Sequence, residues 1–203
     1  MKNRFFDLRL IIGYVLAHAL MYFTFYDRAI FWYIFTGSLL VLITFAMFQE
    51  DVEDQASFFV YISIGAFSGI LLYFIFWLGV QGFDLLNLPF EKSIKKLYRW
   101  FAPSLFWQYL ALILVAAPGE ELFWRGFVQK RLLRFFRPFV SIVFGALLYA
   151  SVHIYSGTFT LMLAAFLSGL MWGALYLWKK SMPLVIVSHI VFDIMIFIIL
   201  PLK

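Results

Sequence analysis

Seven long apolar runs constrain this chain more than any other feature of it. They fall at roughly residues 10–26, 30–48, 56–83, 105–123, 139–155, 159–178 and 182–202. A predominantly apolar stretch of about 18 residues or more is long enough to cross a bilayer as a helix. Within hydrocarbon every backbone N–H and C=O must be satisfied by the protein itself, so a spanning segment is either a helix or a strand of a closed barrel. The runs are continuous and do not alternate with period two, which excludes the barrel. The expected fold is all-α: a polytopic transmembrane helix bundle of about seven (six to eight) membrane helices, forming a single integral membrane domain over residues 1–203. The third run is too long for a ~30 Å hydrocarbon core and has to tilt, kink at its glycines, or protrude.

Composition agrees. The chain is 65% hydrophobic and 13% charged, whereas a soluble domain is nearer half apolar and about a quarter charged. The net charge of +5 is spread between the runs. That excludes nucleic acid as a partner and points to the lipid bilayer, with the cations setting orientation and meeting anionic headgroups. With the N-terminus inside, Lys2, Arg4, Arg9, the five basic residues from Arg125 to Arg137, Lys179 and Lys180 make ten inside against six outside. An integral, multi-pass protein of the plasma membrane with a cytoplasmic N-terminus is expected. The first run lacks a small-residue cleavage site after a short apolar core and is read as a retained helix. The stretch "FEKSIKKLYRWF" (90–101) sits on the wrong side in this count. Its mixture of Lys with Phe, Ile, Leu and Trp is that of an amphipathic helix lying in the interface. There is no cysteine, so disulfides, thiolate nucleophiles and Cys-based metal sites are all excluded.

Against this background a few polar residues stand out. "AAPGEELFWRGF" places Glu120 and Glu121 together in an apolar run, with Arg125 four residues on. A carboxylate at the centre of a membrane helix costs about 2.5–3.5 kcal/mol on insertion scales, and such residues usually face a cavity or a partner. Glu121 and Arg125, at i and i+4, can form an ion pair at a helix end. That leaves Glu120 unexplained, because one residue along a helix turns a side chain by ~100°. "LLYASVHIY" puts Tyr149 and His153 on one face of the fifth run, and "VIVSHIVFDIMIF" puts His189 and Asp193 on one face of the last. Asp193 needs a partner within lipid, and the imidazole at i−4 is the nearest candidate. His18 reads as a packing residue. At ~1.5 Å per residue Glu120 lies about 15 Å in from Lys130 and His189 about 14 Å in from Lys180, whereas His153 lies about 22 Å from Pro138. Tilt can bring the three level. The glycine pairs Gly65–Gly69 and Gly169–Gly173 read as helix-packing positions.

The chemistry is that of carboxylate and imidazole without an activated Ser or Cys. There is no G-x-S-x-G elbow and no H-E-x-x-H helix. A Glu that takes a proton from water, with a His donating to a developing oxyanion, fits this set. Two His and a Glu also make a plausible zinc set.

These residues resemble the motifs of the CAAX protease and bacteriocin-processing (CPBP, or Abi) family of intramembrane proteases. "EELFWR" is similar to that family's paired Glu with Arg, "YASVH" to its aromatic residue and His, with Tyr149 where Phe is usual, and "HIVFD" to its His with Asn or Asp. The resemblance spans about residues 105–200, the expected catalytic core, and leaves residues 1–104 as scaffold helices. It implies an intramembrane endopeptidase that hydrolyses a peptide bond of a membrane-associated peptide or protein substrate. Glu120 would activate water with help from His153, His189 and Asp193 would polarise the scissile carbonyl, and Glu121, Arg125 and Tyr149 would support the site. No cofactor is favoured; if zinc is used, Glu120, His153 and His189 would hold it. A proteolysis-independent scaffold or regulator of the same family is the alternative. A small proton-coupled transporter ranks lower, because no inverted repeat is visible.

Overall fold

The computed structural model describes residues 7–202, and among them the chain is helical apart from its connections and an isolated bridge between Asp54 and Ser181. The helices are α1 (Leu8–Tyr26), α2 (Phe31–Gln49), α3 (Phe58–Leu85), α4 (Phe90–Phe101), α5 (Phe106–Leu132), α6 (Pro138–Ser151), α7 (Phe159–Lys179) and α8 (Met182–Ile194). Six of them are long and apolar enough to cross a membrane, counting α6 to Ser156 and α8 to Ile199. A seventh is reached when α4 and α5, a bent pair, are counted as one span. At ~1.5 Å per residue α5 is about 40 Å long; its Trp107 lies against Tyr33 in the first turn of α2, and its Arg131 reaches Asp7 and Glu50. Large apolar side chains such as Phe23, Leu40, Phe67 and Leu78 remain exposed on the outside. On a soluble protein that would be a liability; on this one it is the surface that lipid covers.

One end of the bundle is held by ions. Arg131 reaches both carboxylate oxygens of Asp7, at 2.8 and 2.7 Å, and lies 2.9 Å from Glu50. Arg134 also holds Glu50, at 2.7 Å; Lys130 lies 3.1 Å from Glu53; Ser181 donates to Asp54 at 2.6 Å. The head of α1, the α2–α3 and α5–α6 connections and the α7–α8 turn are thereby fastened together. Asp7 also caps α1, accepting from the amides of Arg9 and Leu10. Of the basic residues counted to the inner side, Lys2 and Arg4 lie outside the described residues, as does Lys203 on the other side. Arg125 is a correction. It is no loop charge, being 2% exposed and paired inside α5, so it drops out of the orientation count.

The other end carries α4. With 12 residues it is about 18 Å long and cannot span. It meets α5 at a bend of 104°. Ile94 is buried beneath it, while Lys92, Lys95 and Arg99 are exposed, the pattern of an interfacial amphipathic helix.

α3 is unbroken over 28 residues, so its glycines do not kink it. They let α8 in instead. A Cβ on Gly65 would stand 2.8 Å from the Leu184 carbonyl oxygen, and one on Gly69 only 2.4 Å from that of Ser188. Gly169 and Gly173 on α7 act alike towards Ala146 of α6 and Gln129 of α5. His18 fastens α1 to the end of α6, its Nδ1 2.9 Å from the Tyr155 hydroxyl and its Nε2 3.2 Å from Ser151 Oγ. It is a satisfied packing residue.

Candidate active site

Pro118 makes α5 irregular where it matters. It has no N–H to give, and its ring crowds the carbonyl one turn back. The backbone widens over Leu112–Ala116, where the Ala117 N–H reaches back five residues to the Leu112 carbonyl, and widens again over Leu122–Gln129. Such π turns are rare and gather at functional sites. Glu120 and Glu121 end the short α-helical piece, Ala117–Glu121, between the two.

α8 brings His189 against both glutamates. Its Nδ1 donates to Glu121 Oε1 at 2.7 Å, while its Nε2 lies 3.8 Å from Glu120 Oε2. An ionised carboxylate only accepts, so the Nδ1 proton is fixed by this bond. The same Glu121 oxygen accepts from Arg125 at 3.1 Å. The expected ion pair is therefore present, and Glu121 serves a second partner 68 residues along the chain. Asp193 falls short of the hydrogen bond expected for it. Its Oδ2 lies 3.7 Å from His189 Nε2 and, though buried, has no hydrogen-bond partner among the described residues. The reason is the ring's orientation, since the shorter bond to Glu121 turns Nδ1 away from α8's own next turn.

Tyr149 joins the other pair. Its hydroxyl donates to Glu120 Oε2 at 2.6 Å, and its carbonyl accepts from His153 Nδ1 at 3.0 Å. His153 sits in a short 3₁₀ turn, Val152–Ser156, beyond the end of α6. Gly157, at φ +67°, ends that turn in the left-handed conformation open to glycine and sends the chain back into α7. This connection brings His153, which straight counting along the helix leaves near the opposite face, to the same cavity as the other residues. Glu120, Tyr149, His153, His189 and Asp193 all line one cavity of about 300 Å³. Apart from Thr160 and Ser168, the rest of its wall is apolar and aromatic. Phe101 and Leu97 come from α4, Phe31 and Trp32 from the head of α2, and Phe76 from α3, so the N-terminal helices build much of the chamber.

Trp172 is a neighbour that sequence reasoning missed. Its indole stacks on His189 with centroids 3.8 Å apart and planes 22° from parallel, and its Nε1 donates to Ser188 Oγ at 3.2 Å. Ser188 accepts from Ser68 of α3 as well, at 2.9 Å. The available signal was its spacing of three from Gly169, which places it on the face that packs inward.

The zinc set does not assemble in this arrangement. Among the described residues no three His, Asp or Glu side chains are grouped to hold a metal ion. His189 and His153 both commit Nδ1 and keep Nε2, and Tyr149 occupies one oxygen of Glu120.

No curated protein and no solved structure matches the chain. Residues 102–195 match the family model described as Type II CAAX prenyl endopeptidase Rce1-like. The matched segment holds Glu120, Glu121, Arg125, Tyr149, His153, His189 and Asp193, and over that segment the chain is similar to this family.

Proposed function

We infer that the protein is an intramembrane endopeptidase that hydrolyses a peptide bond of a membrane-associated substrate with a water molecule activated by Glu120. The observation that best supports this is His189 addressing two adjacent glutamates at once within a chamber inside the bundle. Glu120 Oε2 and His189 Nε2, 3.8 Å apart, both lie within reach of one oxygen placed about 2.8 Å from each. The water oxygen attacks the scissile carbonyl carbon, and its proton passes to Glu120. His153, its Nδ1 proton committed to the Tyr149 carbonyl, offers Nε2 as a second acceptor. The carbonyl electrons move onto oxygen, where protonated His189 donates from Nε2; Asp193 balances that imidazolium. Collapse of the intermediate breaks the C–N bond, and Glu120 returns the proton to the leaving amine. A carboxylic acid and an amine result, the acid's remaining proton passing to the amine or to solvent, and the protein is restored.

Glu121 and Arg125 hold His189 without touching substrate. The family description names a prenyl endopeptidase, and an apolar chamber suits a peptide that carries a hydrocarbon chain. Lipid-modified peptides are therefore the substrate class we assign. The test is Glu120→Gln, which keeps the shape and removes proton acceptance. Cleavage of a co-expressed membrane substrate should slow by about 10²–10⁴ with the melting temperature in detergent unchanged. Full biological function in that variant would instead make the protein a scaffold.

A further inference from the structure

At the α4 end, two cations share one indole. The Arg28 guanidinium carbon lies 3.3 Å from the Trp100 ring centroid and the Lys96 ammonium 4.1 Å from the same centroid. The two charges are thus no farther apart than those distances laid end to end. Neither has a carboxylate within ion-pair distance among the described residues. The acids nearby are already engaged: Asp27 caps the Ala29 amide at 2.9 Å, and Glu91 is paired with Lys95. Each cation is attracted to the ring, an anion reaching both would relieve their mutual repulsion, and an indole on a membrane protein's rim sits at headgroup depth. The anion available at that depth is a lipid phosphate.

We propose that Arg28, Trp100 and Lys96 form a binding site for the headgroup of an anionic phospholipid, and that its occupancy latches α4 over the chamber. Arg28 belongs to the α1–α2 connection and Lys96 to α4, so one headgroup held by both bridges the seam between them. The seam lies directly over the cavity. Phe25, Phe31 and Trp32 line it from one side of the seam, and Leu97, Tyr98 and Phe101 from the other. Phe101 packs edge-on against Phe25, at 5.3 Å, and against Phe31, at 4.8 Å. These are contacts between ring surfaces, whereas hydrogen bonds hold α4 on its other side, from Thr160 of α7 to Ser93 at 2.6 Å and from Tyr98 to the Ile196 carbonyl at 2.7 Å. The lipid supplies a charged contact between Arg28 and Lys96 on the seam side. This inference concerns access to the chamber and stands whether or not the residues within it cleave peptides.

The absence of cysteine makes the test direct. Leu97→Cys places a single thiol on the chamber side of α4, and its labelling by a water-soluble maleimide reports how often α4 lifts. The full chain is reconstituted in vesicles of phosphatidylcholine alone and of phosphatidylcholine with phosphatidylglycerol. Labelling should be slower in the anionic vesicles by roughly 5- to 30-fold, the range set by one to two basic side chains at an anionic surface. Adding Arg28→Gln and Lys96→Gln should abolish the difference, while adding Lys92→Gln and Arg99→Gln should leave it. The charge-preserving pair Arg28→Lys and Lys96→Arg should retain it, with melting curves confirming that each variant is folded. Equal labelling in both vesicles overturns the proposal. Loss of the response in the Lys92 and Arg99 variant assigns it to diffuse surface charge and overturns the site. Inorganic phosphate reproducing the effect on phosphatidylcholine vesicles overturns the assignment to lipid.

Discussion

Glu121 is the residue on which the site's geometry turns. It is fully buried, holds Arg125 at 3.1 Å and receives His189 Nδ1 at 2.7 Å. Replacing it with Gln leaves an acceptor for His189 but strands a buried guanidinium without its counter-charge. Breaking a buried ion pair from one side costs about 3–5 kcal/mol. Glu121→Gln should therefore lower stability by that amount in a denaturation series in mixed micelles, unlike Glu120→Gln, and should lower the cleavage rate as Glu120→Gln does. A variant as stable as the wild type would show that Arg125 finds another partner. Spacing along one helix made the Glu121–Arg125 pair legible in the sequence. It could not reveal the bond to His189, because periodicity reports neighbours on the same helix and this contact joins two. The same spacing paired Asp193 with His189, and the structure keeps that pair at ion-pair distance, 3.7 Å, without a hydrogen bond. Tyr149 was legible as sharing a helix face with His153; that its hydroxyl lies 2.6 Å from Glu120 depends on how α6 crosses α5.

At the level of elements, α3 and α8 fit together because Gly65 and Gly69 have no side chain. Gly69→Ala would put a Cβ 2.4 Å from the Ser188 carbonyl oxygen, one residue from His189. The neighbour is backbone and cannot step aside, so the helices must separate. Overpacking of this kind costs about 1–3 kcal/mol. Gly82→Ala, with nothing within 4 Å of the added carbon, should leave the melting temperature in detergent almost unchanged. Equal effects from the two substitutions would remove close packing as the reason for the glycines. Helix count and approximate ends were legible because lipid demands uninterrupted apolar runs, and α4 because its cations interrupt one. The wide turns of α5 were not legible. Pro118 marks a local fault, but whether a helix meets it by bending, breaking or widening depends on what packs around it.

For the molecule as a whole, the ionic end is where pH should act. Burial alone would raise the Asp7 carboxyl, but it is outweighed. The hydrogen bond from Arg131, the Leu10 amide, the Arg131 charge and the Arg9 amide together hold it below its ordinary value of 3.8. A carboxyl lowered on folding stabilises the fold above its unfolded value, and that contribution disappears as pH falls through the folded one. Asp7→Asn should thus melt below the wild type at neutral pH, and the gap between them should close as the buffer is taken from about pH 4 downwards. A gap that persists through that range would mean that the difference does not come from the charge of Asp7.

The contrast between the two ends also has a mechanical consequence. Arg131, Arg134 and Lys130 tie several connections together at one end, whereas the seam beside α4 at the other end is closed by ring contacts. Such a bundle strains unevenly, as a cup with a rigid base and a compliant lip does. Sideways compression or stretching from the bilayer, through crowding, curvature or a change of thickness, will be taken up at the lip. The chamber's mouth then responds to the tension of its surroundings while the carboxylates and imidazoles below keep their spacing.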